Sequence, residues 1–135
     1  MNKTMNKGLK RKSTHSIEEV YAAVSSTMFN KRKTRIMFKG DEIKSTSQRY
    51  QTFFTKGLRC VNCGIEGRFF AKEKTVNDQL YHLNLYAVNA SGQEVLMTKD
   101  HIIPQSRGGK NTLDNYQTMC VVCNTRKGNR CDESV

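Results

Sequence analysis

The apolar positions in the first half of the chain recur at helical spacing and predict two short helices. The first is indicated by Ile17, Val20, Tyr21, Val24 and Met28. Ser16 and Glu19 form an S-x-x-E capping box at its start. Ser47 can cap a second helix that ends at Gly57, with an aromatic face of Tyr50, Phe53 and Phe54. At this spacing, the aromatic side chains are expected to belong to the core.

The pattern changes to alternation in the middle of the chain, which predicts strands over residues 67–73, 80–89 and 93–98. The second strand shows the alternation best, at Leu83, Leu85 and Ala87. The segment Asn89-Ala90-Ser91-Gly92 is a turn signal, so the second and third strands are expected to form a hairpin.

The C-terminal third predicts a strand, a loop, a second strand and a helix. A strand is expected to run through Asp100-His101 to Ile103 and to end at Pro104, which cannot donate to a ladder. Residues 106–111, with Gly108-Gly109, form a mobile or tightly turned loop in this interpretation. The return strand is predicted over 113–119 and the helix over about 124–129. The predicted fold class is therefore α+β, with N-terminal helices and short antiparallel strands before this ββα unit.

Charge is the first feature that suggests a partner. The 135-residue chain has 23 basic and 12 acidic side chains, a formal net charge of +11. Residues 1–40 contain ten basic and two acidic residues, a net of +8. Such a surplus favours a polyanionic partner, because Lys and Arg release condensed counterions when they pair with phosphates. The alternative is a solvated basic surface with no nucleic-acid role.

The distribution of charge also divides the chain. Residues 1–15 are basic without apolar periodicity, which predicts a disordered tail. Residues 16–57 are predicted to be a basic helical region that binds DNA through Lys31, Arg32, Lys33 and Arg35. No segment approaches the roughly 20 apolar residues of a membrane-spanning helix, and no apolar signal-peptide core is visible. We therefore expect an intracellular, cytoplasmic protein that does not bind a membrane.

Four of the five cysteines form two CxxC pairs, Cys60-x2-Cys63 and Cys120-x2-Cys123, while Cys131 stands alone. In a reducing compartment, two such pairs predict a structural zinc site with four thiolate ligands. Zinc would tie together the two ends of the strand region between the pairs. The alternative is that the two pairs are coincidental or redox-active.

Several elements near the C-terminus occur in a specific order, namely D-H-I-I-P, a Gly-Gly loop, N-x-x-x-N and C-x-x-C-N-x-x-K-G. In this order they resemble the HNH endonuclease family. The third family position is often His, whereas this chain has Asn124, so the resemblance is to an HNN-type variant. It assigns residues 58–131 to a zinc-bound nuclease domain. It further implies a stand-alone enzyme of phage or mobile-element type, such as a homing endonuclease, although restriction and DNA packaging are also compatible roles.

The resemblance implies hydrolysis of DNA phosphodiester bonds, by nicking or double-strand cutting, that leaves 5′-phosphate and 3′-hydroxyl ends. His101 is the expected general base, since a neutral imidazole accepts a proton near pH 7. Asp100 and Asn124 are expected to hold a catalytic Mg²⁺ or Mn²⁺ through oxygen atoms. Asn115 corresponds to the central Asn, which braces the loop and orients the base. Phosphate contacts are expected from Arg107, Lys110, Arg126, Lys127 and Arg130.

The resemblance also defines the partners and the competing hypotheses. The expected partner is double-stranded DNA, bound by a monomer or by a dimer that forms on DNA, with no organic cofactor. One alternative is a non-catalytic zinc-containing module that only binds nucleic acid, in which Asp100 and His101 are turn and core residues. Another is a zinc ribbon that recognises a protein, against which the basic N-terminal third argues.

Overall fold

The computed structural model describes residues 3–4 and 8–128. The helices are α1 (Ile17–Val24), α2 (Gln48–Lys56) and α3 (Val121–Lys127). The strands are β1 (Lys3–Thr4), β2 (Lys10–Ser16), β3 (Arg35–Phe38), β4 (Asp41–Lys44), β5 (Phe69–Lys74), β6 (His82–Val88), β7 (Glu94–His101) and β8 (Tyr116–Cys120). Short 3-10 turns cover Gln105–Arg107 and Leu113–Asn115.

Most of the strands form one sheet in the order β1-β7-β6-β5-β2, and β8 pairs with the C-terminal half of β7. All of its pairings are antiparallel except the short parallel contact of β1 with β7. A separate antiparallel hairpin consists of β3 and β4. The predicted α+β class with short antiparallel strands is confirmed.

The prediction of a disordered tail over residues 1–15 is wrong at Lys3–Thr4, which form β1 beside β7. It is also wrong from Lys10 onward, where the chain forms the edge strand β2 and pairs with β5. The strand alternates between exposed and partly buried positions, a pattern that its many basic residues conceal. Arg11 is compensated by Glu73 and Glu94, each at 2.8 Å, and its guanidinium lies over the ring of Tyr86. Residues 1–2 and 5–7 of the predicted tail lie outside the described residues.

The two predicted N-terminal helices are present and are capped by Ser16 and Ser47, although the first ends at Val24, before Met28. The Ser16 hydroxyl accepts a 3.0 Å hydrogen bond from the Glu19 amide at the start of α1. The Ser47 hydroxyl accepts from the Arg49 amide at the start of α2, and the helix ends at Gly57, whose φ is 109°. The segment between them is not helical. It forms the β3–β4 hairpin, so the prediction of one helical region over 16–57 missed two strands.

The core lies between the main sheet and the N-terminal helices. The buried apolar residues include Val20 and Val24 of α1, Tyr50 and Phe53 of α2, and Leu83 and Leu85 of β6. This confirms the predicted core role of the aromatic face of α2, whose Phe54 packs partly buried against the same cluster. Within the described ranges, no helix is long and apolar enough to cross a membrane.

The C-terminal ββα unit is formed by β7, β8 and α3. The return strand begins at Tyr116, later than predicted, because a 3-10 turn occupies Leu113–Asn115. The helix begins at Val121, earlier than predicted, because the Cys120 thiol caps it by accepting from the Cys123 amide. The second CxxC pair therefore spans the cap and the first turn of α3. Asn124, expected at the helix start, lies at the centre of α3.

Candidate zinc and nuclease site

Four cysteine thiols converge where the chain after α2 meets the junction of β8 and α3. The sulfur atoms of Cys60, Cys63, Cys120 and Cys123 all lie within 4.8 Å of one another. A tetrahedral zinc ion with metal–sulfur distances of about 2.3 Å places its ligands about 3.8 Å apart. Cys63 Sγ and Cys120 Sγ are separated by 3.8 Å. The cluster therefore fits a four-thiolate zinc ion, as the two CxxC pairs predicted.

Hydrogen bonds to sulfur favour the thiolate form at Cys60, whereas burial raises the pKa of the Cys63 and Cys120 thiols. The amides of Cys63 and Cys123 donate to Cys60 Sγ and Cys120 Sγ at 3.5 Å, and the Asn62 side chain donates to Cys123 Sγ at 3.3 Å. Burial raises the pKa of the Cys60 thiol, but hydrogen bonds from the backbone of Cys63, Cys120 and Asn62 outweigh it and lower this pKa to about 7. Cys131 lies outside the described residues.

Hydrogen bonds beside the thiol cluster also link the segment around the first CxxC pair to the ββα unit. The Val61 amide donates to the Thr118 carbonyl at 3.0 Å, and the Thr118 hydroxyl donates to the Gly57 carbonyl at 2.6 Å. Cys60 and Cys63 lie in the segment after α2, whereas Cys120 ends β8 and Cys123 lies in α3. A metal held by the four sulfurs would therefore join the segment after α2 to both β8 and α3.

Asp100 is buried on the face of β7 that packs against α3. Its Oδ2 atom accepts hydrogen bonds from Gln117 Nε2 at 2.9 Å and from Lys127 Nζ at 2.7 Å. The Lys127 ammonium also donates to the backbone carbonyl of His101 at 2.6 Å. Both side-chain hydrogen bonds of Asp100 end on Oδ2 in the described part of the chain, so Oδ1 is left to accept a cation.

His101 points to the other face of β7, as expected for neighbours on a strand. Its Nε2 atom lies 2.7 Å from Oδ1 of Asn111, and its ring packs edge-on against Tyr116 with the centroids 5.1 Å apart. An amide oxygen can only accept, so this contact assigns the proton of a neutral imidazole to Nε2 and leaves the lone pair on Nδ1.

Asn115 closes the loop between β7 and β8. Its Oδ1 accepts from the Ile103 amide at 2.9 Å, while its Nδ2 donates to the carbonyls of Ile103 at 3.0 Å and Lys110 at 2.8 Å. The loop is tightly turned, since the Gly109 amide donates to the Pro104 carbonyl at 3.0 Å. A Cβ atom at Gly109 would collide with the Ile103 carbonyl, so this close approach requires glycine.

Asn124 projects from α3 toward β7, where its Nδ2 donates to the Thr98 hydroxyl at 2.9 Å. That contact leaves the amide oxygen as the acceptor atom available to other groups. Asp100, His101 and Asn124 line one cavity of about 250 Å³ together with Lys99 and the loop after β7. Three of the four predicted catalytic residues therefore come together, while Asn115 lies beside the cavity and holds its loop.

The predicted phosphate-binding residues divide into three groups. Arg107, Lys110 and Arg126 are exposed, as are Lys31, Arg32, Lys33 and Arg35, of which Arg35 lies 3.6 Å from Glu42. The assignment of Lys127 to this set is wrong, because the residue is 4 % exposed and its ammonium is held by Asp100. Its apolar stem fills the space under α3, so it cannot reach a DNA phosphate. Arg130 lies outside the described residues.

Sequence reasoning missed Asn111 and Gln48 as partners of this site. Asn111 reaches His101 only because the loop turns back, and Gln48 arrives from α2 to accept a 2.8 Å hydrogen bond from the Tyr116 hydroxyl. Neither residue stands in a motif, so only the tertiary arrangement reveals them.

Two strands and a helix form a ββα unit with a four-thiol cluster that could hold zinc at the helix start and a polar cavity at the end of its first strand. Residues 89–135 match a family described as HNH endonuclease. This match to an HNH endonuclease model covers about a third of the 135 residues. No curated protein and no solved structure matches the chain.

The cavity also offers oxygen donors that could hold a divalent metal. Oδ1 of Asp100 and the amide oxygen of Asn124 are both uncommitted among the described residues, and both line the cavity. A carboxylate and an amide oxygen are hard donors of the type that Mg²⁺ and Mn²⁺ prefer. The two residues can therefore supply part of a coordination shell, which water and a phosphate oxygen would complete.

Proposed function

We propose that the protein is a metal-dependent endonuclease that hydrolyses phosphodiester bonds of double-stranded DNA. The observation that carries this proposal is the cavity that Asp100, His101 and Asn124 line together. The match of residues 89–135 to an HNH endonuclease model supports a nuclease, and the net charge of +11 supports a nucleic-acid substrate.

In this proposal, His101 is the general base. Its Nε2–H donates to Asn111, which fixes the ring and turns the lone pair of Nδ1 to the attacking water. The water loses its proton to Nδ1 as its oxygen attacks phosphorus, the bond from phosphorus to the 3′ oxygen breaks, and the 3′ oxygen takes a proton from solvent water. The products would be 5′-phosphate and 3′-hydroxyl ends. Asn111 acts through His101 and is a positioning residue.

Asp100 and Asn124 would hold Mg²⁺ or Mn²⁺ through their side-chain oxygens. The ion, when bound, supplies Lewis-acid stabilisation of charge on the phosphate and the leaving oxygen. Lys127 and Gln117 hold the Asp100 carboxylate by its other oxygen, so its orientation is set before a metal arrives. Asn115 holds the loop between the strands, as proposed for the central Asn of the motif.

DNA would reach the cavity along exposed cations on either side. Arg107 and Lys110 flank the loop after β7, Arg126 lies on α3, and the basic loop Lys31–Lys33 with Arg35 extends from the N-terminal region. Contacts with phosphates position a duplex without reading its sequence, so these residues would contribute to DNA affinity and not to sequence specificity.

The test is cleavage of supercoiled plasmid with Mg²⁺ or Mn²⁺, comparing wild type with His101→Ala. General-base catalysis contributes about 10²- to 10⁴-fold, so the variant should lose at least about 100-fold in rate. His82→Ala is the matched control, because this histidine is exposed on β6 and lines neither the cavity nor the loop. Equal rates for wild type and His101→Ala, or cleavage by neither, would refute the proposal that the protein is a nuclease.

A non-catalytic nucleic-acid-binding module is the second candidate. It is favoured by the Lys127–Asp100 ion pair, because an ammonium at 2.7 Å already supplies a positive charge to the carboxylate. In that case the Asp100 site would need no metal for its stability. DNA binding that survives in the wild type without cleavage under either ion would select this candidate.

A further inference from the structure

A second cavity adjoins the proposed catalytic one. It encloses about 440 Å³ between the chain before α2, the first turn of α2 and the middle of β7. Lys99 lines both cavities, so the two spaces meet at this side chain. The second cavity is therefore positioned to receive the neighbouring part of a molecule bound at Asp100 and His101.

Three cations dominate the lining of the second cavity. Lys44, Arg49 and Lys99 surround it, and none of its lining residues within the described ranges is acidic. None of the three has an acidic partner in the described part of the chain. Other cations near the sheet are compensated, as Arg11 is by Glu73 and Glu94. The cavity thus has an uncompensated positive charge.

The cations also act on one another. Burial lowers the pKa of Lys99, and the neighbouring charge of Arg49 lowers it further. Burial lowers the pKa of His82 as well, with Arg49 and Lys44 adding to the effect against the opposing charge of Asp78. Mutual repulsion of this kind is relieved when an anion enters, because the anion favours each charged form.

The cavity is held in shape by contacts with its surroundings. The Arg49 guanidinium donates to Oδ1 of Asn84 at 2.8 Å. Lys99 lies 4.2 Å from the centroid of the Tyr116 ring and donates to Gln48 at 3.2 Å. Thr46, Ser47, Gln48 and Thr98 add polar groups to the lining, and Leu96 and Met97 complete it. Cations and neutral donors arranged in this way suit phosphate oxygens.

We infer that this second cavity binds the sugar–phosphate backbone of duplex DNA beside the phosphate that is cut. The inference rests on the proposed function for the position of the cut, whereas the binding itself does not depend on catalysis. Lys44 and Arg49 precede residues 89–135, the segment that matches the HNH family, so the N-terminal part of this chain contributes two of the three cations. The inference assigns DNA contacts to Lys44, Arg49 and Lys99, in addition to those of the exposed loop at Lys31–Lys33.

The experiment measures the salt dependence of DNA binding by fluorescence anisotropy. The background is His101→Ala without divalent metal, so that no cleavage occurs, and the probe is a short labelled duplex. Lys44→Gln/Lys99→Gln removes two phosphate contacts and should reduce the slope of log K against log salt by about 1.8. Between roughly 50 and 200 mM salt, the loss of affinity should then be about 12-fold smaller than in the parent.

Two controls separate this effect from total charge and from folding. Lys10→Gln/Arg68→Gln removes the same charge from two exposed residues that line neither cavity, and it should change the slope much less. Lys99→Arg keeps the charge and should retain the parental slope. Arg49 is left in place, because its removal would deprive the buried Asn84 of a partner.

The outcomes distinguish this inference from the nuclease proposal. An unchanged slope in Lys44→Gln/Lys99→Gln would overturn the backbone site even if the wild type cuts DNA. Equal slope losses in both double variants would also overturn it, since charge alone would then explain binding. A selective loss supports the site even if the wild type cuts nothing. Tighter binding of single-stranded RNA, lost in the same variant, would overturn the assignment to duplex DNA.

Discussion

Lys127→Met tests whether the buried ion pair under α3 holds the Asp100 carboxylate in place. The two side chains are 3 % and 7 % exposed, and the ammonium donates at 2.7 Å to Asp100 and at 2.6 Å to the His101 carbonyl. Met fills a similar volume but leaves the carboxylate with Gln117 as its side-chain partner. Breaking a buried pair from one side costs about 3–5 kcal/mol, because the remaining charge is uncompensated.

The assay is urea unfolding at neutral pH with the same excess of zinc for every variant. Lys127→Met should lower the free energy of unfolding by about 3–5 kcal/mol. Arg35→Gln is the control, because it breaks an exposed pair with Glu42 and should cost no more than about 1 kcal/mol. Asp100→Asn/Lys127→Met should recover part of the loss, since no unpaired charge remains.

The reasoning would be refuted if Lys127→Met were no more destabilising than Arg35→Gln. It would also fail if the double variant were as unstable as the sum of the single variants, because groups in contact should couple by about 0.5–3 kcal/mol. A carboxylate that tolerates the loss of its lysine would have to be exposed to water, contrary to the arrangement under α3.

Three further predictions concern the thiol cluster, the loop and the base. Cys63→Ser should lose the single bound zinc and unfold more readily, because structural zinc supplies folding free energy, whereas Cys131→Ser should keep it by metal analysis. Gly109→Ala should lower the thermal midpoint and the cleavage rate, because its Cβ would lie 2.6 Å from the Ile103 carbonyl carbon and 2.9 Å from Asn115 Nδ2. Ser91→Ala, in the turn after β6, is its control, and equal midpoints for the two would contradict the close approach. Asn111→Ala should reduce kcat by up to about 100-fold with a smaller change in KM, because the His101 ring loses its partner. A change confined to KM would show that Asn111 binds substrate and does not position the base.

Interactions between residues that are close together in the chain were predicted from the sequence. The caps at Ser16 and Ser47 act on amides two or three residues away, so the sequence alone shows both partners. The two CxxC pairs predicted the metal cluster for the same reason, since each pair forms a knuckle by itself. The alternating apolar residues of β6 and the Asp100-His101 pair at the end of β7 were likewise visible without a structure.

The remaining features depend on which segments the fold brings together. Strand β2 was not recognised because the acidic partners of Arg11 and Lys12 are distant in the chain. They are Glu73 and Glu94 for Arg11, and Asp41 for Lys12. Lys127 was predicted to contact phosphate because a lysine in a basic helix is usually exposed. Only the tertiary structure shows that it is buried and forms an ion pair with Asp100.

The sequence by itself determined the chemistry at the end of β7, a carboxylate and an imidazole followed by two asparagines and a thiol cluster. Only the tertiary structure decided how those groups are held. It placed Asn111 on His101, Lys127 on Asp100, and the cations of β4 and α2 beside Lys99. The physical reason is that charge compensation and ring orientation act across a few ångströms of space, whatever the separation along the chain.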